Sequence, residues 1–152
     1  MKEALKEAQK AYKKGEIPVG AVIVKDDKII ARGHNLKEKL KDTTKHAEII
    51  AIQKASKKLE AWRLENCDLY VTLEPCSMCT GAIINSRIKN LYIGTMDKKT
   101  GSCGSVLNLL EDYKFNHIVN VQKGILKNEC EYILKEFFKE LRKNKKLKGT
   151  SI

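Results

Sequence analysis

Apolar residues along the chain recur at two different spacings, and the changes of spacing mark out its elements. From Lys2 to Lys14, Leu5, Ala8, Ala11 and Tyr12 fall at helical intervals, and Gly15 closes the run. Val19 to Lys25 is a short apolar stretch, Asp26-Asp27-Lys28 a turn, and Lys28 to Arg32 a returning strand, which together predict a β-hairpin. His46 to Lys58, with Ile49, Ile50, Ile52 and Ala55 on one side, predicts a helix. Leu69 to Leu73 and Asn90 to Gly94 predict strands flanking a helix over Cys76 to Ser86. A short helix is expected over Ser105 to Leu110 and a last strand over Ile118 to Val121. A long amphipathic helix should then run from Lys127 to about Lys146, with Ile133, Leu134, Phe137, Phe138 and Leu141 inward. Lys37 to Lys45 reads as a polar loop. Strands separated by helices predict parallel pairing and an α/β class. With no repeat, low-complexity tract or linker, one domain over residues 1–152 is expected.

Composition narrows the setting. The chain is 42% hydrophobic, enough for a continuous core, yet no stretch approaches the roughly 18 consecutive apolar residues of a membrane span. Its start lacks an apolar run of signal-peptide length, so a cytoplasmic protein with no membrane partner is expected. Thirty basic against nineteen acidic residues give a net charge of +11. Such an excess favours a polyanion such as nucleic acid, although a lysine-rich solvated surface has the same composition. Lys135, Lys139, Arg142, Lys143, Lys145, Lys146 and Lys148 crowd the end of the last helix, either to track phosphates or as a soluble tail.

The chemistry is carried by His46-Ala47-Glu48 and Pro75-Cys76-Ser77-Met78-Cys79. One imidazole and two thiolates fill three corners of a Zn²⁺ tetrahedron and leave the fourth for water, as catalytic zinc requires and structural zinc avoids. There is no second C-x-x-C, and His34 and His117 form no H-x₃₋₅-H pair, so a fourth protein ligand is hard to find. Zinc lowers the pKa of its bound water to about 7, and Glu48 is then free to move protons. His46 and Glu48 should straddle a helix start, since two positions apart within a helix they face roughly opposite ways at about 100° per residue. Cys76 and Cys79 belong in the first turn of the other helix, where unpaired N–H groups favour thiolate and Pro75 sets the entry. Backbone N–H groups of Ala47 and Cys76 are placed to support developing charge. Glu74, adjacent to Pro75 at a strand end, reads as a hydrogen-bonding surface or framework carboxylate rather than as ligand or base. Cys67, Cys103 and Cys130 read as small buried hydrophobes.

These motifs resemble the zinc-dependent nucleobase deaminases, whose signature is H-x-E with P-C-x-x-C. The flanking segments narrow the likeness to the bacterial-type tRNA-specific adenosine deaminases: Glu16 to Ala21, Gly33-His34-Asn35, Asp97 to Gly101, Gly124-Ile125-Leu126, Glu129-Cys130 and Phe137-Phe138. The resemblance implies a three-layer α/β/α cytidine-deaminase-like fold, with a central mixed five-stranded sheet and helices on both faces. It implies one Zn²⁺ per chain on His46, Cys76 and Cys79, with Glu48 as proton shuttle. The implied reaction is hydrolytic deamination of the wobble adenosine to inosine in a tRNA anticodon stem-loop, performed by a homodimer. Asn35 then contacts the target base, Pro18, Val19, Leu73 and Ala47 shape its pocket, and Asp97, Lys99 and Phe138 meet RNA.

Plainer roles stay open for these residues. Asn35 is also a natural turn cap, Val19 and Leu73 are ordinary strand core, and Phe137 with Phe138 are as much a packing pair as a stacking surface. Two rival functions stay open as well. A deaminase of free bases or nucleosides, of the guanine or cytosine type, keeps the same zinc residues, and a non-catalytic zinc RNA-binding module has no use for Glu48.

Overall fold

The computed structural model describes residues 1–149, so the last three positions of the expected domain lie outside it. Its elements are α1 (Lys2–Lys13), β1 (Gly20–Lys25), β2 (Lys28–His34), α2 (Lys37–Leu40), α3 (Ala47–Leu59), β3 (Cys67–Leu73), α4 (Ser77–Asn85), β4 (Asn90–Thr95), β5 (Asn120–Lys123) and α5 (Lys127–Gly149). The five strands form one sheet in the order β2-β1-β3-β4-β5. β1 runs antiparallel to both β2 and β3, whereas β3, β4 and β5 are parallel. The expectation of parallel strands thus holds for β2, β3, β4 and β5, which share one direction; β1, inserted between β2 and β3, is the reversed strand. The hairpin turn puts Asp26 and Asp27 at φ 50° and 61°, the backbone of a tight two-residue turn matched to strand twist.

Alternation along the strands separates two helical layers. Ala21, Ile23, Leu69, Val71, Leu91 and Ile93 share a core with Ala47, Ala51 and Ala55 of α3 and Ile83 and Ile84 of α4. The intervening positions face α1 and α5: Gly20 lies against Ala4 and Ala8, Gly94 against Cys130, and the rings of Tyr70 and Tyr92 stack 4.4 Å apart. Tyr12 of α1 meets Phe137 of α5 edge to face, at 5.6 Å. The architecture is the expected α/β/α sandwich around a mixed sheet. Cys67, Cys103 and Cys130 are all buried, as expected of small hydrophobes. No helix among the described residues is long and apolar enough to cross a membrane.

Three expectations need correction. The segment 37–45 begins with a helical turn, α2, because the buried Glu16 carboxylate accepts the N–H groups of Glu38 (3.2 Å) and Lys39 (2.6 Å), which lack partners in so short a helix. No helix forms over Ser105 to Leu110. Cys103 bridges Asn108 there and the chain turns repeatedly, so the apolar run is split, with Val106 and Leu107 exposed and Leu109 and Leu110 packed against the core. On α5, only Cys130 and Phe137 are buried, whereas Phe138 and Leu141, expected inward, are exposed. A helix of 23 residues spans about 35 Å, while a six-residue strand spans about 20 Å, so α5 outruns the sheet it packs on.

A candidate metal centre in a small cavity

β2, β3 and β4 end on the same side of the sheet, and the site is built there. His46 and Cys76 are the N-cap residues of α3 and α4, both extended (φ −77°, ψ 156° and φ −74°, ψ 177°), and neither spends its side chain on capping. The side chains turn instead toward each other, and Cys79, in the first turn of α4, joins them from below. His46 Nδ1 lies 3.6 Å from Cys76 Sγ and 3.5 Å from Cys79 Sγ, and the three donor atoms fall within 4.8 Å of one another. A zinc tetrahedron with S and N at about 2.3 and 2.05 Å needs an N-to-S separation of about 3.6 Å. The residues therefore fit such an ion by spacing as well as by donor type, and the cluster is consistent with a metal site.

Two helix N-termini pointing at one place add partial positive charge to it. The Cys76 thiol is pulled down to about 4, first by its hydrogen bond with Cys79 and also by that with His46, against its burial. Cys79 is pushed up by the same contact with Cys76 and by burial. Glu48 sits one residue inside α3, 3% exposed, and burial pushes its carboxyl up to about 6. The Cys79 thiol donates to Glu48 Oε2 at 3.5 Å, which brings the carboxyl beside the cluster without making it a member.

A cavity of about 270 Å³ opens over these groups. Of the residues singled out from the sequence, Val19, Asn35, His46, Ala47, Glu48, Leu73, Cys76 and Asp97 line it. Asn35 caps the turn, its Nδ2 donating to Ile17 O (3.3 Å) and its Oδ1 accepting from Lys37 N (3.1 Å), and the residue also forms part of the cavity wall. Pro18 is buried and does not line the cavity. Val19 N bonds Ile17 O at 2.9 Å, and in this tight turn Ile17 and Val19 face the cavity while the residue between them does not. Lys99 and Phe138 are absent from this cavity too; they meet in a second recess of about 330 Å³ with Leu134, Lys135 and Arg142. The turn Asp97–Thr100 separates the two concavities, closed by Asp97 Oδ1 accepting from Lys99 N at 2.9 Å. Ile17, Lys37, Glu74 and Thr100 also line the cavity and were not foreseen as lining residues. The Asn35 turn aims Lys37, but no local pattern signals it. A larger, mostly apolar groove of about 790 Å³ between α1 and α5 carries none of the metal ligands.

Residues 1–142 match the family model of the MafB19-like deaminases. The chain is 51% identical to the tRNA-specific adenosine deaminase of Bacillus subtilis, over 96% of this chain and 91% of that protein. It is 50% identical to the enzyme of the same name from Haemophilus influenzae, over 97% and 86%. The chain belongs to the tRNA-specific adenosine deaminases. Its fold superimposes with a TM-score of 0.85 and 42% identity, over 88% of this chain and 97% of the other, on a structure from studies of A-to-I editing by tRNA:A34 deaminases at the wobble position of transfer RNA. The zinc-type cluster is therefore found where both the signature motifs and this family place a metal.

Proposed function

We infer that this enzyme hydrolytically deaminates the wobble adenosine of a tRNA anticodon loop to inosine. The observation that carries the reading is a half-buried His-Cys-Cys cluster beside a buried, unligated Glu48 in a cavity, within a chain about half identical to tRNA-specific adenosine deaminases over nearly its full length. His46 Nδ1, Cys76 Sγ and Cys79 Sγ hold one zinc ion per chain, the metal that a mixed imidazole and thiolate set favours. When bound, zinc supplies the Lewis acidity that activates water near neutral pH. Glu48, buried beside the cluster and within reach of Cys79 Sγ, is placed both to accept and to donate a proton there. It takes a proton from the attacking water, delivers it to the purine ring, and hands on a second to the amine that leaves carbon 6 as ammonia.

Val19, Leu73 and Ala47 pack the base and Asn35 contacts it, while Asp97 orders the adjoining nucleotides. Lys99 and Phe138, grouped with Lys135 and Arg142, receive the strand beyond, one as cation and the other as a stacking face. An unpaired loop suits a small buried site, because its base swings in at low cost. The enzyme works as a homodimer; the exposed apolar run of Val106, Leu107, Tyr113, Phe115 and Ile118 is the kind of surface that self-association covers. Leu107→Asp with Phe115→Asp should give a monomer by sedimentation.

The deciding assay offers an anticodon stem-loop with adenosine at the wobble position alongside free adenine, guanine and cytosine. Inosine in the stem-loop with no turnover of free bases is expected. The opposite outcome would overturn the substrate assignment in favour of a free-base deaminase, and no turnover of either by zinc-loaded protein would point to a binding module.

A further inference from the structure

The part of the cavity wall that follows β4 has no regular secondary structure, so something other than a backbone ladder must hold it. Glu74, 2% exposed at the end of β3, does so. Its Oε1 accepts the Asp97 N–H (3.2 Å) and the Ser105 hydroxyl; its Oε2 accepts the N–H groups of Cys103 (3.3 Å) and Ser105 (3.2 Å). Gly101 crosses so near that a β-carbon there would stand 2.0 Å from Oε2. Three of the partners are backbone N–H donors, on both oxygens, so the site requires a group that accepts on both sides. A carboxylate does and a carboxamide does not.

Resting on the function inferred above, we propose that Glu74 is a positioning residue for the reaction. It fixes the loop 97–105, and through it Asp97 and Thr100 in the cavity wall and Lys99 beside them, and so sets how tightly the nucleotides around the target adenosine are held. Glu74 also precedes Pro75 and Cys76. A role exercised only through the metal ligand would lower metal content and turnover together, whereas a role exercised through the loop acts on substrate affinity.

The test compares Glu74→Gln and Ser105→Ala with the wild-type chain, all zinc-loaded. The readouts are zinc content, kcat and KM for the wobble-adenosine stem-loop, and backbone amide exchange by mass spectrometry and NMR. Glutamine keeps the shape. Its NH₂ settles on the Oε1 side, where the Ser105 hydroxyl can turn to accept it, and leaves the Asp97 N–H without an acceptor. KM should rise about tenfold or more while kcat falls less than about threefold. Zinc should stay bound, and the Asp97 amide should exchange faster while those of Cys103 and Ser105 keep their protection. Ser105→Ala, losing one of the four bonds, should raise KM by a smaller factor of about three with the same split. Unchanged KM in the glutamine variant, or zinc and kcat falling in parallel, overturns the proposal. Should that variant fail to fold, an unchanged KM in Ser105→Ala overturns it. If the wild-type chain forms no inosine in the stem-loop, the functional reading fails, and the pattern of amide exchange still decides whether Glu74 holds the loop.

Discussion

Gly33→Ala tests whether the site depends on how closely α3 sits on the sheet. Gly33 adopts no left-handed backbone, so its requirement is space. A β-carbon there would stand 2.4 Å from Ala47 O, 2.8 Å from Ala51 N and 3.2 Å from Ile50 Cβ. Ordinary contact begins near 3.4 Å, so the first turn of α3 must retreat by about 1 Å, and two of the obstructing atoms are backbone that cannot rotate away. That turn carries His46 at its cap and Glu48 just inside it. Overpacking of this kind costs about 1–3 kcal/mol, or a fall in melting temperature of about 3–10 °C for a domain of this size. A 1 Å misplacement of reacting groups costs about a hundredfold in rate, so kcat on the stem-loop should fall far more than the loss of stability alone explains. Thermal melts and single-turnover deamination with zinc-loaded protein read both effects. Gly81→Ala is the control, because a β-carbon at that α4 position meets nothing within 4 Å; it should add about 0.5–1 kcal/mol of stability through helix propensity. A Gly33→Ala protein with wild-type melting and turnover would refute the claim that this contact seats the catalytic turn.

Other consequences are testable separately. Glu48→Ala should retain zinc and RNA binding yet lose deamination by about three orders of magnitude or more; loss of zinc with the carboxylate would make Glu48 a ligand. Cys76→Ala or Cys79→Ala should abolish stoichiometric zinc in metal analysis, and full activity after exhaustive chelation would sink the mechanism. Replacing the exposed Lys139, Arg142, Lys143 and Lys145 with alanine should weaken stem-loop binding and flatten its salt dependence, while the rate of the bound complex stays closer to wild type; an unaltered salt slope excludes this end of α5 from the RNA path. His34 lies 3.2 Å from the Glu7 carboxylate and 2.8 Å from Lys14 Nζ, and burial pushes its pKa down, helped by the nearby Lys14 and Lys10 and opposed by Glu7. A histidine held neutral by the fold stabilises fully above its unfolded pKa of about 6.5, and that contribution is lost as pH falls through the lower folded value. His34→Gln should therefore shrink the drop in melting temperature between pH 7 and pH 5, and an identical drop removes His34 as its cause.

The ligand set was legible in the chain because metal chemistry is written in residue types and short spacings. His46 and Glu48, two apart, had to straddle a helix start, and the structure puts His46 at the cap and Glu48 inside. Cys76 and Cys79 meet His46 because the starts of α3 and α4 come to the same side of the sheet, beyond the ends of β2 and β3. The strands and most helices were legible too, since burial on a sheet imposes a period of two and burial on a helix one of 3.6. The same patterning misled at Ser105 to Leu110, where a series of turns divides an apolar run between core and surface, and on α5, where an apolar stripe continues past the sheet that would cover it.

What the sequence could not decide depends on contacts between distant segments. Glu16 caps α2 from twenty-odd residues away, and Glu74 collects donors from residues 97, 103 and 105. Neither partnership leaves a local pattern, because a buried carboxylate is satisfied by whatever N–H groups the fold delivers to it. The division of the proposed RNA contacts is likewise tertiary: Asp97 and Lys99 are neighbours in the chain, yet one turn of backbone sends the first to the metal cavity and the second to the recess on α5. Sequence specified the chemistry and the elements, through residue type and periodicity. Only the packing of those elements fixed which side chains share a cavity, because direction in space is set by long-range contacts that no short window of sequence contains.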